Sequence, residues 1–391
     1  MRIIGIGAGL ANCILAYHLI NKGHEVILIE KNKTLGGMCR TFYYEDLSYE
    51  YGPHILYSNE KEIIAFFEHF VGFIPNTFYL ATCVENNILT YPPTLDEIEN
   101  LPSGKEILSE ISALSGDINE ENFETFLISS VGRKAYRLFY EGFTEKFWGI
   151  HPSKLSANWA KTRELKFKNS LDKRAFSAKY QGYPKSDYND LISALIQKAQ
   201  IIQGSVVRFD DGVILDDNRK VSGDLYINTI SLDDIFNAEF GELRFTGFNL
   251  ELCIYNQEYM LPKHPTGERT AWMYFPSLET PYTRQCEYKT INKKLSSRTI
   301  IGTEIPERGF KLYPYYSEQD EAVFMRYLDK ICARDDIITL GRLGLFIYTT
   351  MGNTYAMTKY LLDIIDHWKI DSIEERKGHL LHIRSLANKG A

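Results

Sequence analysis

Two glycines and one acidic residue near the start of the chain have the spacing of a dinucleotide site. Gly7 and Gly9 follow the apolar stretch 3–6, and Glu30 closes the apolar stretch 26–29. Glycines at such a turn let the backbone approach a pyrophosphate, the next helix offers free N–H groups, and the acid can accept hydrogen bonds from ribose hydroxyls. A tight turn in an unrelated α/β protein is the alternative, but the strand–helix–strand context favours a cofactor site.

A second glycine pair indicates which dinucleotide is bound. Gly36-Gly37 follows Glu30 by six residues and permits another close approach of the backbone. A glycine pair at this place is typical of proteins that bind FAD, which is longer than NAD. The third position of the usual G-x-G-x-x-G pattern is Asn12, a departure from the motif. The sequence nevertheless predicts tightly bound FAD.

A basic segment at 161–179 could bind phosphate. It carries seven basic and two acidic residues in a chain whose net charge is −7; it contains Phe167 and Phe176 and is followed by Tyr180. Lysine and arginine beside aromatic side chains suit a phosphate-bearing ligand. A solvated basic face is the alternative for any run of charge. The basic residues are Lys161, Arg163, Lys166, Lys168, Lys173, Arg174 and Lys179.

Hydrophobic periodicity predicts an α/β fold in which one nucleotide-binding domain is interrupted by two insertions. The chain has 391 residues, so two or three subdomains are expected. Helices are predicted at 10–21, 60–71, 95–140, 186–200, 317–333 and 355–368, and strands at 3–6, 26–29, within 201–231, within 243–316 and at 337–340. The predicted domains are an FAD-binding Rossmann-like domain at 1–72, 186–235 and 334–391, a helical insertion at 73–152, and a β-sheet-rich substrate domain with a mobile loop at 153–185 and 236–333.

Composition excludes several classes of protein. A net charge of −7 argues against general nucleic-acid binding, and an apolar content of 44% argues against a disordered chain. The six cysteines form no C-x-x-C pair, so no metal site is predicted. No apolar stretch has the ~18 residues of a membrane span. We expect a cytoplasmic protein with reduced thiols.

Short motifs along the chain resemble those of the bacterial UDP-galactopyranose mutase family, from residue 1 to about residue 365. Six of them occur in order at similar spacing, and such a series is hard to obtain by chance. They are Leu35-Gly36-Gly37, Tyr51-Gly52-Pro53-His54, Phe143-Thr144-Glu145-Lys146-Phe147-Trp148-Gly149, Tyr180-Gln181-Gly182, Pro281-Tyr282-Thr283-Arg284 and Gly341-Arg342-Leu343.

The resemblance implies an enzyme that interconverts pyranose and furanose forms of a nucleoside-diphosphate sugar. In the family, FAD works only when reduced, and its N5 attacks the anomeric carbon and displaces the nucleoside diphosphate. The sugar ring then opens and recloses without net redox change. An external reductant such as NAD(P)H and a homodimer are also implied.

The resemblance also assigns residues. It places the catalytic residues at His54 and Arg284, with either Arg174 or Lys168 delivering a second cation to the diphosphate; the sequence leaves these two open. Together with the glycine motifs, the expected cofactor contacts are Gly7, Gly9, Leu10, Glu30, Lys31, Gly36, Gly37, His54, Arg342 and Met351. The expected substrate contacts are Phe143, Trp148, Tyr180, Arg284, Tyr313 and Tyr348.

Each of these side chains has an ordinary structural explanation as well. His54 could be structural, Trp148 could be a core residue although its polar neighbours favour the cleft, and Arg284 could form a surface ion pair. The sequence departs from the family at Tyr57, Phe143, Leu312, Thr349 and Thr350. These positions surround the sugar and nucleotide in the family, so another sugar or base is a possibility.

Two other functions are compatible with the cofactor motifs. An FAD-dependent oxidoreductase of the amine-oxidase type would share those motifs without needing Arg284 or the basic segment. A non-enzymatic binding protein on the same scaffold would lack the flavin. Flavin colour and the stoichiometry of reductant use distinguish the three.

Overall fold

The chain has a mixed α/β architecture in a computed structural model that describes residues 1–161, 165–168 and 171–388. The strands are β1 Arg2–Ile6, β2 Glu25–Glu30, β3 Thr41–Tyr44, β4 Leu47–Glu50, β5 Leu56–Ser58, β6 Phe73–Pro75, β7 Tyr79–Val84, β8 Asn87–Thr90, β9 Tyr180–Pro184, β10 Gln200–Gln203, β11 Val206–Phe209, β12 Val213–Leu215, β13 Lys220–Val221, β14 Leu225–Asn228, β15 Phe245–Tyr255, β16 Thr270–Tyr274, β17 Arg284–Glu287, β18 Thr299–Arg308, β19 Tyr313–Pro314 and β20 Ile337–Thr339.

Helices cover the parallel sheet and form most of the region between β8 and β9. They are α1 Leu10–Asn21, α2 Lys61–Val71, α3 Leu95–Glu99, α4 Gly104–Ser112, α5 Phe123–Val131, α6 Arg133–Tyr136, α7 Gly142–Trp148, α8 Asn158–Lys161, α9 Tyr188–Leu195, α10 Leu232–Ile235, α11 Tyr288–Asn292, α12 Glu318–Cys332, α13 Gly341–Gly344, α14 Met351–Ile364 and α15 Ile373–Ser385. A π-helical turn at Arg137–Glu141 joins α6 to α7, and 3-10 turns lie at Pro152–Lys154 and Leu386–Asn388.

A parallel sheet in the order β10-β2-β1-β14-β20 forms the nucleotide-binding part of the fold. Its central strands are continuous apolar runs that are buried along nearly their whole length, as expected for a parallel sheet covered on both faces. Helix α1 makes the crossover from β1 to β2, whose residues pair in parallel. The predicted β-α-β unit and the Rossmann-like class are confirmed.

A second sheet brings together distant parts of the chain in the order β19-β15-β18-β17-β16-β7-β8. Residues 79–90, which the sequence placed in the helical insertion, form β7 and β8 of this sheet. Glu85 and Asn86 have positive φ and make a tight two-residue turn between two apolar stretches. The sequence prediction missed this hairpin. The helical region therefore begins after β8 and not at residue 73.

A small sheet of three strands has the order β5-β9-β6. Strand β9 pairs with β5, which lies in the predicted nucleotide-binding domain, and with β6, which the prediction placed at the start of the helical insertion. The other domain boundaries that were predicted from the sequence stay predictions.

Buried side chains form two apolar clusters. The larger lies around the parallel sheet and reaches into the second sheet, and the smaller lies among α4 to α8 and the end of the β7–β8 hairpin. Helix α7 contributes Phe147 and Trp148 to the smaller cluster. Among the described residues, no helix combines the length and apolar character needed to cross a membrane.

Candidate functional site

The turn between β1 and α1 leaves room for a ligand beside its second glycine. Gly7 has a φ of +86°, and a Cβ there would lie 2.8 Å from Thr229 Oγ1, so the position requires glycine. Gly9 is the N-cap residue of α1, and a Cβ at Gly9 would meet no protein atom within 4 Å. The close approach that a pyrophosphate needs is therefore available at the N-terminus of α1.

The second glycine pair packs directly on the first turn. The N–H of Gly36 donates to the carbonyl of Ala8 at 2.8 Å, and a Cβ at Gly37 would lie 3.2 Å from the Cα of Gly9. Glu30 is buried, and its carboxylate accepts from the N–H of Ala8 at 3.0 Å and from Asn32. The structure thus brings the three predicted parts of the cofactor site together.

Asn12 has a structural role that accounts for the missing third glycine. Its amide nitrogen lies 2.7 Å from the carbonyl of Gly7 and 3.3 Å from the carbonyl of Ile227, so it connects β1 to β14. The side chain is buried against Gly5. A glycine at this place would remove these contacts.

Three further predicted cofactor contacts lie around this turn or on the helix packed against it. Leu10 is half-buried at the first position of α1, and Lys31 is exposed just after β2. Met351 is buried at the first position of α14, which packs against α1 and is capped by the Thr350 side chain.

His54 is held by a network around buried Glu50. The Glu50 carboxylate accepts from the backbone N–H of His54 at 2.8 Å, and its Oε2 lies 3.2 Å from Nδ1 of the ring. This contact is a hydrogen bond in the tautomer that carries the proton on Nδ1. Tyr188 donates to the His54 carbonyl, and Tyr183 donates to Glu50. The position of the ring is therefore fixed.

Arg284 lies opposite Glu304 on the second sheet, and the two side chains form a bidentate ion pair. Nε and Nη2 of Arg284 donate to the two carboxylate oxygens at 2.9 and 2.6 Å. Burial opposes the charge of Arg284, but the carboxylate of Glu304 outweighs this effect and holds the pKa of the guanidinium well above its ordinary value. The third nitrogen of the fork, Nη1, has no hydrogen bond to any residue that the structure describes.

The ion pair lies next to the segment that carries His54. A Cβ at Gly52 would be 3.5 Å from Nη2 of Arg284 and 3.7 Å from Oε1 of Glu304. Arg284 also lies 5.8 Å from the ring centroids of Trp272 and Tyr274. The predicted diphosphate-binding arginine is thus a paired cation, 13% exposed, beside the predicted flavin-side histidine.

Two stacked tyrosines and a second arginine complete this cluster. The rings of Tyr313 and Tyr348 stack with centroids 5.7 Å apart, and the guanidinium carbon of Arg342 is 4.6 Å from the Tyr348 centroid. Arg342 is anchored by the carbonyl of Thr349 at 2.8 Å. Burial raises the pKa of the Tyr313 phenol to about 12 although Arg284 opposes the shift, so the hydroxyl stays protonated near neutral pH.

Helix α7 supplies one aromatic side chain to this region and buries another. Phe143 is half-buried and makes an edge contact with Tyr274, whose ring lies beside Arg284. Trp148 is 1% exposed and packs against Trp159 and Tyr315, so the expectation that it lines the cleft is wrong for this structure. Its polar neighbours suggested exposure, but helical periodicity points its ring into the core.

Lys146 of the same helix holds the loop that leads to Arg284. Its ammonium lies within 3.1 Å of the carbonyls of Phe275, Ser277, Thr280 and Tyr282. Helix α7 and the 275–282 loop are thereby joined.

The basic segment is only partly described, since Arg163 lies outside the described residues. The ammonium of Lys168 donates to the carbonyl of Arg174, and the Arg174 fork donates to the Asp172 carboxylate at 3.0 and 3.1 Å. Lys173 pairs with Glu97. In this structure these cations are therefore engaged within the segment or with α3, and the choice between Lys168 and Arg174 stays open.

Tyr180 lies apart from the stacked tyrosines. Its hydroxyl donates to Glu68 of α2 at 2.7 Å, and it lines a cavity of about 510 Å³ with Lys179, Arg269 and Lys293. Tyr180 was expected to contact the substrate, but in this structure its hydroxyl is bonded to α2.

Sequence reasoning overlooked Glu50, Glu304 and Tyr274, which hold or surround the predicted residues. A single acid inside an apolar strand, as in Ile300-Ile301-Gly302-Thr303-Glu304, is a signal of a buried, paired charge. The partner of that acid is defined by the pairing of β17 with β18.

The fold and the glycine turn define a nucleotide-binding Rossmann-like protein of mixed α/β structure. A Rossmann-like NAD(P)-binding domain model matches residues 6–70, and the UDP-galactopyranose mutase family model matches residues 138–348. The chain therefore belongs to the UDP-galactopyranose mutase family, and it is an isomerase.

Related proteins cover the chain almost completely. It is 24% identical over 374 residues to a probable UDP-galactopyranose mutase of Klebsiella pneumoniae. The aligned region covers 91% of this chain and 92% of that protein. It is also 24% identical to a dTDP-fucopyranose mutase of Escherichia coli, over 90% of this chain and 94% of that one. The crystal structure of a reduced UDP-galactopyranose mutase superimposes with a TM-score of 0.83 at 16% identity, covering 100% of this chain and 99% of the other.

Proposed function

We propose that this protein is a flavin-dependent mutase that interconverts the pyranose and furanose forms of a nucleoside-diphosphate sugar. The observation that carries the proposal is the cluster of Arg284, Tyr313, Tyr348 and Arg342 beside the segment that ends in His54. Two half-buried cations and two phenols suit a diphosphate better than an amine substrate. Family membership supports the same reaction class.

FAD is the cofactor that fits the glycine turn. The open space beside Gly9, the helix N-terminus behind it and the buried carboxylate of Glu30 match a pyrophosphate and an adenosine ribose. The pair Gly36-Gly37 lies against Gly9 and extends the region where a ligand can approach the backbone. When bound and reduced, by NAD(P)H or another donor, FAD would supply the nucleophilic nitrogen that the reaction needs.

The chain's own residues would bind and orient the nucleotide. Nη1 of Arg284 is available to a phosphate oxygen while Glu304 keeps the rest of the fork in place. The Tyr313 hydroxyl, with its pKa raised to about 12 by burial, can donate a hydrogen bond to an anion at neutral pH. These contacts would retain the displaced diphosphate until it recombines with the sugar.

The sugar and the base are the finer part of the proposal. One relative is named for galactose and another for fucose, so the family accommodates more than one sugar. Here Phe143 lacks a hydroxyl, Tyr57 stacks on Phe176, and the Thr350 side chain caps α14. We propose that these differences favour a nucleotide sugar other than UDP-galactose.

The test is a screen of nucleotide sugars against the dithionite-reduced protein, with products separated by chromatography and identified by mass spectrometry. The proposal predicts one substrate whose pyranose and furanose forms interconvert without stoichiometric use of reductant. Consumption of one reducing equivalent per turnover would favour an oxidoreductase of the amine-oxidase type. Protein that stays colourless after FAD is added would exclude both enzymes.

A further inference from the structure

A single lysine ammonium of helix α7 organises the loop between β16 and β17. Nζ of Lys146 lies between 2.7 and 3.1 Å from four backbone carbonyl oxygens of this loop, those of Phe275, Ser277, Thr280 and Tyr282. An ammonium carries three donors, so the four oxygens share it. Burial lowers the pKa of Lys146 to about 8, and the group is therefore still mainly protonated at neutral pH.

Ordinary strand pairing does not hold this loop. The residue pairing of β16 with β17 ends at Tyr274 and Arg284. The loop contains two prolines, Pro276 and Pro281, which lack the backbone N–H that a ladder hydrogen bond needs. Hydrogen bonds from Lys146 to the loop carbonyls take the place of the ladder.

Helix α7 approaches the loop so closely that only glycine fits at the contact. A Cβ at Gly142 would lie 2.6 Å from the carbonyl oxygen of Pro276 and 3.2 Å from the side chain of Leu278. Gly142 and Lys146 are four residues apart, so they lie on the same face of the helix, one turn from each other. The steric contact at Gly142 and the ammonium of Lys146 therefore fix the helix against the loop at two points.

The helix and the β16–β17 hairpin each carry a side chain of the proposed substrate site. Phe143 of α7 makes an edge contact with the ring of Tyr274, at a centroid distance of 5.8 Å. The guanidinium carbon of Arg284 lies 5.8 Å from the centroid of the same Tyr274 ring. An aromatic side chain and a cation beside one common ring can bind the base and the phosphates of one nucleotide. Their relative position depends on how α7 is held against the loop.

We propose that Lys146 is a positioning residue that sets the distance between the Phe143 ring and the Arg284 fork, so that one nucleotide reaches both. This inference rests on the proposed nucleotide-sugar substrate. Loss of the ammonium would leave the loop carbonyls without their donor and let α7 and the loop separate. The Arg284 fork would stay in place, because Glu304 holds it. A nucleoside diphosphate, which needs both contacts, should therefore lose more affinity than pyrophosphate, which needs only the cation.

The experiment compares, by calorimetry, the affinity of the flavin-loaded protein for nucleoside diphosphates and for inorganic pyrophosphate. UDP, dTDP, CDP, ADP and GDP are titrated first, and the one that binds most tightly is used with the variants. Lys146→Met should weaken binding of that nucleotide about tenfold or more and leave pyrophosphate affinity unchanged. Lys146→Arg keeps a cation among the carbonyls and should recover part of the loss. Lys154→Met removes an exposed lysine beyond the same helix and is the matched control, which should bind like wild type.

A second variant tests the same contact without removing the charge. Gly142→Ala should push the loop away from α7, because its Cβ would lie 2.6 Å from the carbonyl oxygen of Pro276, and should show the same difference between nucleotide and pyrophosphate. Circular dichroism establishes which variants are folded, and if Lys146→Met is not, Gly142→Ala decides. Unchanged nucleotide affinity in the folded variants, or an equal loss for nucleotide and pyrophosphate, would overturn the inference.

Failure of the proposed function gives a different result. Wild type that binds a nucleoside diphosphate but interconverts no nucleotide sugar would remove the proposed function, and the variants would still test Lys146. Wild type that binds none of the nucleoside diphosphates would overturn the inference itself, because no nucleotide would then reach both side chains.

Discussion

Arg284 and Glu304 are paired across β17 and β18, and both carboxylate oxygens of Glu304 accept hydrogen bonds from the Arg284 fork. Glu304 is buried, so neither charge is readily solvated if its partner is removed. A substitution of Arg284 therefore affects stability as well as any nucleotide contact. This coupling decides how the predicted role of Arg284 has to be tested.

Arg284→Ala should reduce kcat/KM about tenfold to a few hundredfold, as expected for one lost hydrogen bond to a charged group. It should also lower the free energy of unfolding by about 3–5 kcal/mol, because a buried carboxylate loses its partner. The double variant Arg284→Met with Glu304→Gln should recover most of that stability but none of the activity. Urea unfolding and steady-state kinetics on both variants separate the two effects. Recovery of activity in the double variant would exclude Arg284 as a nucleotide ligand.

Gly9 and Gly36 of the predicted cofactor site should have different roles: Gly9 in flavin binding and Gly36 in the stability of the fold. Gly9→Val should fold with a stability change below about 1 kcal/mol, because its Cβ meets no protein atom within 4 Å, and should lose flavin. Gly36→Ala should destabilise the fold itself by about 1–3 kcal/mol, since φ is +100° and the Cβ would lie 2.7 Å from the Cys39 carbonyl. Flavin absorbance after reconstitution and thermal unfolding of the apo-proteins test this contrast. Wild-type flavin content in Gly9→Val would contradict the proposed pyrophosphate position.

Asn12 should stabilise the protein without touching the substrate. Asn12→Ala should lower the free energy of unfolding by about 1–3 kcal/mol, because carbonyls of Gly7 and Ile227 lose a buried donor. Asn12→Gly should be at least as damaging, since glycine also weakens the helix. Urea unfolding of the apo-proteins measures both. Asn21→Ala, an exposed substitution at the end of the same helix, is the control and should change little.

His264 should make the protein sensitive to mild acid. Burial lowers its pKa to about 4, although Glu97 and a backbone contact with Leu80 oppose the shift. Between pH 6.5 and 4 the unfolded chain therefore binds a proton that the folded chain does not, so stability falls as pH falls through this window. The loss approaches about 3 kcal/mol at the acid end of the window.

Urea unfolding at several pH values measures that loss. His264→Gln should flatten the dependence on pH between 6.5 and 4, whereas His367→Gln, at an exposed site, should leave it unchanged. An unchanged slope in His264→Gln would show that other groups cause the acid sensitivity.

Features that depend on neighbouring residues were predictable from the chain. The turn at Gly7 and Gly9, the helix after it and the strand that ends at Glu30 follow from backbone sterics and hydrophobic periodicity within 30 residues. The alternation of nucleotide-binding elements with insertions followed from the same patterns. The motifs also pointed to the family that the comparisons confirm.

Features that depend on pairing between distant segments were not predictable. Glu304 became the partner of Arg284 through the register of β17 and β18, Trp148 was buried by packing against Trp159 and Tyr315, and residues 79–90 joined the second sheet. Periodicity specifies which residues avoid water, but many partners can satisfy that requirement equally well. Shape complementarity and the satisfaction of buried polar groups select among those partners, and both exist only once the chain has folded.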